Sequence, residues 1–145
     1  MKPYSTIAPP RDSVMELITK QLPFIRILAG LLPQIAIEKV DIEKKSPGVW
    51  KVEAWVANKG FLPYPIHQGK RCQRPTPAVA TLSGKAVSFL EGRERRVLDL
   101  LSGSGGYQKV SWLIGAPDGS DITVTASSFS AGSDKRTVSL KGGGK

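Results

Sequence analysis

The sequence predicts an all-β sandwich, and two observations carry that expectation. Apolar residues recur at every second position along Val49–Asn58 (VWKVEAWVAN) and again along Val110–Ile114 and Ile122–Ala126. A period of two puts one side of a strand in a core and the other in water. Turn residues also recur at short intervals between such runs, the pattern of a sandwich rather than of a parallel sheet with crossover helices. The chain's 145 residues suit one domain, able to bury a core without disulfide or metal staples.

Three zones follow in order. Residues 1–33 read as a linker and an amphipathic helix. After a proline-rich lead, Asp12 or Ser13 can cap a helix, Glu16 stands three residues after Ser13 as in a capping box, and Gly30 with Pro33 ends the run. The helix is expected over about Ser13 to Leu31, kinked at Pro23. Its apolar positions Val14, Leu17, Ile18, Leu22, Ile25 and Leu28 recur at three and four residues, marking one buried stripe that needs a covering surface. That cover is either the sandwich or a neighbouring domain.

Residues 34–140 read as the sandwich, with about eight strands. They are Ile35–Glu43, Val49–Asn58, Ala78–Leu82, Ala86–Leu90, Arg95–Leu100, Tyr107–Ile114, Ile122–Ser128 and Arg136–Leu140. Ser46-Pro47-Gly48, Ser83-Gly84-Lys85, Glu91-Gly92, the Ser102–Gly106 cluster and Ala131-Gly132 supply turns. Pro117-Asp118-Gly119 is expected to close a hairpin between the sixth and seventh strands. Residues 141–145 carry no apolar side chain and are expected to be disordered.

Alternation divides the tryptophans. Trp50, Val52, Ala54 and Val56 share one face, and Val110, Trp112 and Ile114 face as Ile122, Val124 and Ala126 do, so Trp50 and Trp112 are expected in the core. Trp55 falls on the polar face with Lys51 and Glu53. An indole there either stacks on a sugar or seals an interface, or else packs under a loop or the helix.

The connection from Lys59 to Pro77 is long for a compact domain, and such connections often carry function. It holds four prolines, Phe61, Tyr64, the single His67 and the single Cys72, with Lys59, Lys70, Arg71 and Arg74 and no acid. His67 and Cys72 are two ligands where a zinc site needs three or four, so no metal site is expected. No catalytic residue is expected either, because Cys72 has only His67 as a possible base and few acids to orient it. Gly103-Ser104-Gly105-Gly106 leads into a strand, not a helix, and reads as a flexible inter-strand loop rather than a phosphate cradle.

A net charge of +9 raises nucleic acid or an anionic surface as partner. The cations are scattered, often beside acids, rather than interleaved with aromatics, which argues against nucleic acid. A lone cysteine leaves the compartment open, and neither a secretory signal nor a membrane span is expected.

Ala8-Pro9-Pro10, the helix, Leu32–Ile37, Val49–Ala54, Asn58-Lys59-Gly60-Phe61-Leu62-Pro63, Val110–Ile114 and Ser130-Ala131-Gly132 together resemble the C-terminal region of bacterial zinc metallocarboxypeptidases of the carboxypeptidase A-like family. Similar Asn-x-Gly-x-x-Pro turns occur in bacterial adhesion-related immunoglobulin-like domains. The resemblance implies an immunoglobulin-like antiparallel sandwich serving as a non-catalytic accessory domain, with a zinc-dependent peptidase domain upstream as its partner in a secreted or periplasmic parent. None of that family's catalytic residues carries over, since its His-x-x-Glu pair has no counterpart: Lys70 stands three residues after His67. No cofactor is expected in this chain, zinc belonging to the parent.

The candidate interaction surface is Trp55, Phe61, Tyr64, His67, Lys70, Arg71, Arg74 and Tyr107. Three uses of it are open: holding the peptidase domain or a cell-surface protein or polymer, stacking sugars on Trp55, Tyr64 or Tyr107, or binding anionic polymers through Lys70, Arg71 and Arg74. Two of those three aromatics exposed on one face would favour sugars; their burial would leave the structural role.

Overall fold

A computed structural model describes residues 10–72, 74 and 76–141. The proline-rich lead before Pro10 and the tail after Lys141 lie outside the described residues. The chain divides into two units, Met1–Leu32 and Pro33–Lys145.

In the first unit a 3-10 turn at Arg11–Ser13 runs into α1, Val14–Gly30, which continues through Pro23. The expected capping box is not formed. Ser13 donates its amide to the Pro10 carbonyl at 3.0 Å and takes helical angles (φ −91°, ψ −9°). A capping side chain needs extended backbone, so this geometry aims its hydroxyl away from the free amides. Glu16 instead pairs with Lys20 one turn on, at 2.6 Å. The stripe expected to be buried is also corrected: α1 has no buried residue, because a lone helix has no second element within its unit to cover it. No helix among the described residues is long and apolar enough to cross a membrane.

The second unit is the expected all-β sandwich: two four-stranded antiparallel sheets. Its strands are β1 (Ile35–Ser46), β2 (Val49–Asn58), β3 (Val79–Gly84), β4 (Ser88–Glu91), β5 (Arg95–Val97), β6 (Tyr107–Gly115), β7 (Asp121–Ser127) and β8 (Ser133–Ser139), with a short helix, α2 (His67–Arg71), between β2 and β3. Sheet I has the order β1-β2-β6-β4 and sheet II the order β5-β3-β7-β8. Only the first and last strand pairs are hairpins; every connection from β2 to β7 crosses between sheets.

Pro47 and Gly48 turn the first hairpin, with Ser46 facing Val49 across it. Gly48 has φ +71°, the left-handed value demanded of the third residue of a type II turn, and Pro47 presets the residue before it. β1 extends three residues past its expected end, through Lys44, Lys45 and Ser46, because backbone pairing with β2 carries these polar residues along.

The Pro117-Asp118-Gly119 turn does not close a hairpin. β6 already has β2 and β4 as neighbours, and β7 has β3 and β8. The segment hands the chain from one sheet to the other: the Ala116 amide still bonds to Gly48 beside β2, at 2.9 Å, while the Gly119 amide bonds to Leu140 beyond β8, at 2.7 Å. Pro117, with no amide to satisfy, stands between these two bonds.

Between the sheets, Val52, Ala54, Val56, Val110, Trp112 and Ile114 meet Ala80, Leu82, Ile122, Val124 and Ala126 in one cluster. Trp50 and Trp112 are both buried, as alternation required. Each indole satisfies its N–H on a carbonyl, Trp50 on Ala116 at 3.1 Å and Trp112 on Arg93 at 3.0 Å.

Candidate functional site

The structure separates the sequence-predicted surface into three places. Trp55 and Tyr107 lie on the outer face of sheet I, opposite in parity to the core residues of β2 and β6. Phe61 is exposed in the loop after β2, while His67, Lys70 and Arg71 on α2 and Arg74 beyond it are exposed separately. Tyr64 must be removed from the surface altogether. It is 2% exposed, its hydroxyl donates to the Thr76 carbonyl at 2.8 Å, and its backbone pairs with Leu101 in both directions. Its ring anchors the long connection to the core, and no sugar can stack on it. Gln73 and Pro75 lie outside the described residues.

That connection is less irregular than its composition suggests, because Asn58 organises its start. Fully buried at the end of β2, Asn58 accepts from the Gln34 and Gly60 amides at 3.0 Å each and donates to the Leu62 carbonyl at 2.7 Å. A longer contact reaches the Leu101 carbonyl at 3.5 Å. An asparagine side chain sets a carbonyl that accepts two bonds beside an amide that donates two, and this is the physical content of the Asn-x-Gly-x-x-Pro motif. The Ser102–Gly106 cluster is correspondingly not a free flexible loop. Its amides at Ser104 and Gly105 bond to the Gly60 and Asn58 carbonyls, at 2.7 and 2.9 Å. Gly103 lies so close to this corner that a Cβ there would fall 1.8 Å from the Phe61 carbonyl oxygen.

On the outer face of sheet I, register brings charge to Trp55. Lys39 of β1 and Lys109 of β6 are its direct cross-strand neighbours. Their ammonium groups stand over the indole, 5.2 and 5.0 Å from the ring centroid. Each is tied to a carboxylate, Lys39 to Asp41 at 2.5 Å and Lys109 to Glu53 at 2.9 Å. Glu53 takes a second ammonium, Lys51, at 2.8 Å. The hydrogen bonds from Lys51 and Lys109 hold the Glu53 carboxyl below the usual carboxylate range, and the same bond to Glu53 raises Lys51. The indole is therefore occupied as a cation–π acceptor within an ion network. Tyr107, two residues along β6 from Lys109, is exposed on the same face.

Sequence reasoning did not single out a basic cleft beside β6. β4 pairs with β6 only from Gly115 to Leu113, then peels away at Gly92. The chain crosses to sheet II, where β5 pairs with β3 through Arg95, Arg96 and Val97. Between the departed strand and β6 lies a cleft of about 560 Å³, lined by Arg93, Arg95, Arg96, Gln108, Lys109 and Ser111 among others. No ion pair among the described residues engages any of the three arginines. The Arg-x-Arg-Arg spacing was the only available sequence signal; what makes it a cluster is the peeling of β4, which no local pattern encodes. A second, apolar hollow of about 350 Å³ lies between Pro65–Lys70 and Val97–Leu100.

Cys72 accepts a 3.5 Å contact from the Gln68 side chain and is exposed. Among the described residues, no three or more His, Cys, Asp or Glu side chains are grouped to hold a metal ion.

Two solved structures are similar to parts of the chain. One is β-glucosidase 3B from Thermotoga neapolitana in complex with α-D-glucose, at 12% identity and a TM-score of 0.39, covering 75% of this chain and 16% of that one. The other is a β-glucosidase from Streptomyces venezuelae in complex with D-glucose, at 15% identity and a TM-score of 0.34, covering 74% of this chain and 15% of that one. The chain thus spans less than a fifth of either enzyme. No curated protein matches it. A family model described as Domain of unknown function (DUF8731) matches residues 34–139, from the start of β1 to the end of β8, and the chain belongs to that family.

Proposed function

We propose that the sandwich is a non-catalytic accessory module that holds an anionic partner for a larger protein. The observation that carries this reading is the cleft beside β6, which Arg93, Arg95 and Arg96 line with no acidic residue among its lining and no ion pair to any of the three among the described residues. Guanidinium groups in a recess are weakly hydrated, always charged, and suited to carboxylate or phosphate. Other polar groups are committed to the fold, Asn58 to its corner, Glu53 to two lysines and the buried indoles to carbonyls, while Lys70, Arg71 and Arg74, also outside any ion pair among the described residues, stand exposed on and after α2 rather than in this cleft. This moves the anion-binding function from Lys70, Arg71 and Arg74 to the arginines after β4. The sugar-binding reading loses Tyr64 to burial and the Trp55 ring to two lysines.

The parent in this proposal is a peptidase, as the resemblance of the strand and turn motifs suggests, and an in-frame His-x-x-Glu segment upstream in the gene would support that part. Binding itself is tested by fluorescence anisotropy with labelled polyphosphate and with a neutral glucan. Polyphosphate should bind at low salt, weaken steeply as ionic strength passes about 0.15 M, and be lost in the triple variant R93E/R95E/R96E. Salt-insensitive binding of the glucan alone would replace this reading with the sugar module.

A further inference from the structure

The cleft is not only basic; it exposes an unpaired strand edge. The Asn58 amide bonds to the Gly106 carbonyl and the Ala116 amide to Gly48, so the even-numbered backbone groups of β6 turn toward β2. Antiparallel alternation then turns the groups of Lys109 and Ser111 the opposite way, toward the side that β4 has left. β4 covers only Leu113 to Gly115. No backbone hydrogen bond among the described residues reaches Lys109 or Ser111 on that side. The protein groups near it are the Arg96 guanidinium, in a long contact with the Ser111 carbonyl at 3.5 Å, and Gly92, where a Cβ would lie 3.6 Å from the same oxygen. A bare row of alternating donors and acceptors is a template for another strand.

We infer that this edge takes an extended, acidic peptide segment of another protein, which adds a strand beside β6 while its carboxylates meet Arg93, Arg95 and Arg96. This rests on the anion-binding reading and specifies its ligand. The two halves of the site ask for a peptide together. The arginines would accept any polyanion, but Lys109 and Ser111 offer an N–H and a C=O in strand register, which only another backbone matches in both senses. Charge complementarity selects acidic side chains and rejects a second copy of this chain, whose net charge is +9. The long Arg96 contact is the one that an incoming strand displaces, freeing that guanidinium for a carboxylate.

The test uses the full chain and three labelled probes: a decapeptide of alternating Glu and Thr, the same peptide with every backbone amide N-methylated, and polyphosphate. The N-methylated peptide keeps the charge and loses the amide donors of both edges. The Glu-Thr peptide should bind at least about tenfold more tightly than its N-methylated counterpart, and R93E/R95E should abolish its binding while the thermal melting of the protein is retained. Equal affinity for the two peptides would overturn strand addition and leave anion binding intact. Binding of polyphosphate without binding of the Glu-Thr peptide would do the same. Peptide binding that survives R93E/R95E would overturn the site. Failure of all three probes would remove both the inference and the reading beneath it.

Discussion

At Asn58 one side chain does the work of a small hydrogen-bond network. It is the only buried polar residue among those described, and its three short bonds tie together the chain before β1, the corner after β2 and the loop that follows. Removing it strands two amides and a carbonyl in a place water cannot easily reach. Asn58→Ala is therefore expected to cost about 3 kcal/mol in urea-induced unfolding. Asn58→Asp keeps the two accepted bonds but sets an oxygen against the Leu62 carbonyl, so it should recover only part of the loss. Glu53 makes a different prediction. Its carboxyl is held below the usual range in the folded state, so its contribution to stability is present above the ordinary carboxylate value and fades as pH falls through the lowered one. Unfolding midpoints measured from about pH 6 to about pH 3 should fall more steeply for the native protein than for Glu53→Gln. Parallel curves would show that the network is electrostatically idle.

Strands were legible in the sequence to different degrees, for a reason that lies in their position. β2 is found at its expected ends, Val49 and Asn58, because it is central in sheet I and alternates cleanly between buried and half-buried residues until its last turn into the corner. β5 is three residues long instead of six: the Leu98 amide still meets the Ala78 carbonyl in register with β3, but Leu98 is buried in the core and the pairing ends there. The Gly/Ser cluster before β6 misled because small residues signal either freedom or close approach, and only the contacts distinguish the two. Here it is close approach. Gly103→Ala must push its Cβ away from the Phe61 carbonyl, so it should destabilise by about 2 kcal/mol, read as a lowered melting temperature; an unchanged melting temperature would mean that the corner yields freely.

Over the whole molecule, the sequence by itself determined that this chain makes two-faced strands, how many, and which side chains they bury. Those properties depend on neighbours one or two residues away, so Trp50 and Trp112 could be assigned to the core from alternation alone. Tertiary structure decided which strands pair. Pro117-Asp118-Gly119 satisfies a hairpin and a crossover equally well, and the choice fell to the crossover because β6 lies between β2 and β4 in one sheet while β7 lies between β3 and β8 in the other. The fate of the aromatic candidates was decided the same way: Tyr64 was buried by Leu101 and Thr76, and Trp55 was engaged by lysines from β1 and β6. The arginine cleft is likewise a tertiary product. Arg93, Arg95 and Arg96 read as scattered surface charge until β4 stops short of β6 and leaves them beside an open edge, an arrangement set by long-range pairing and invisible to any local window.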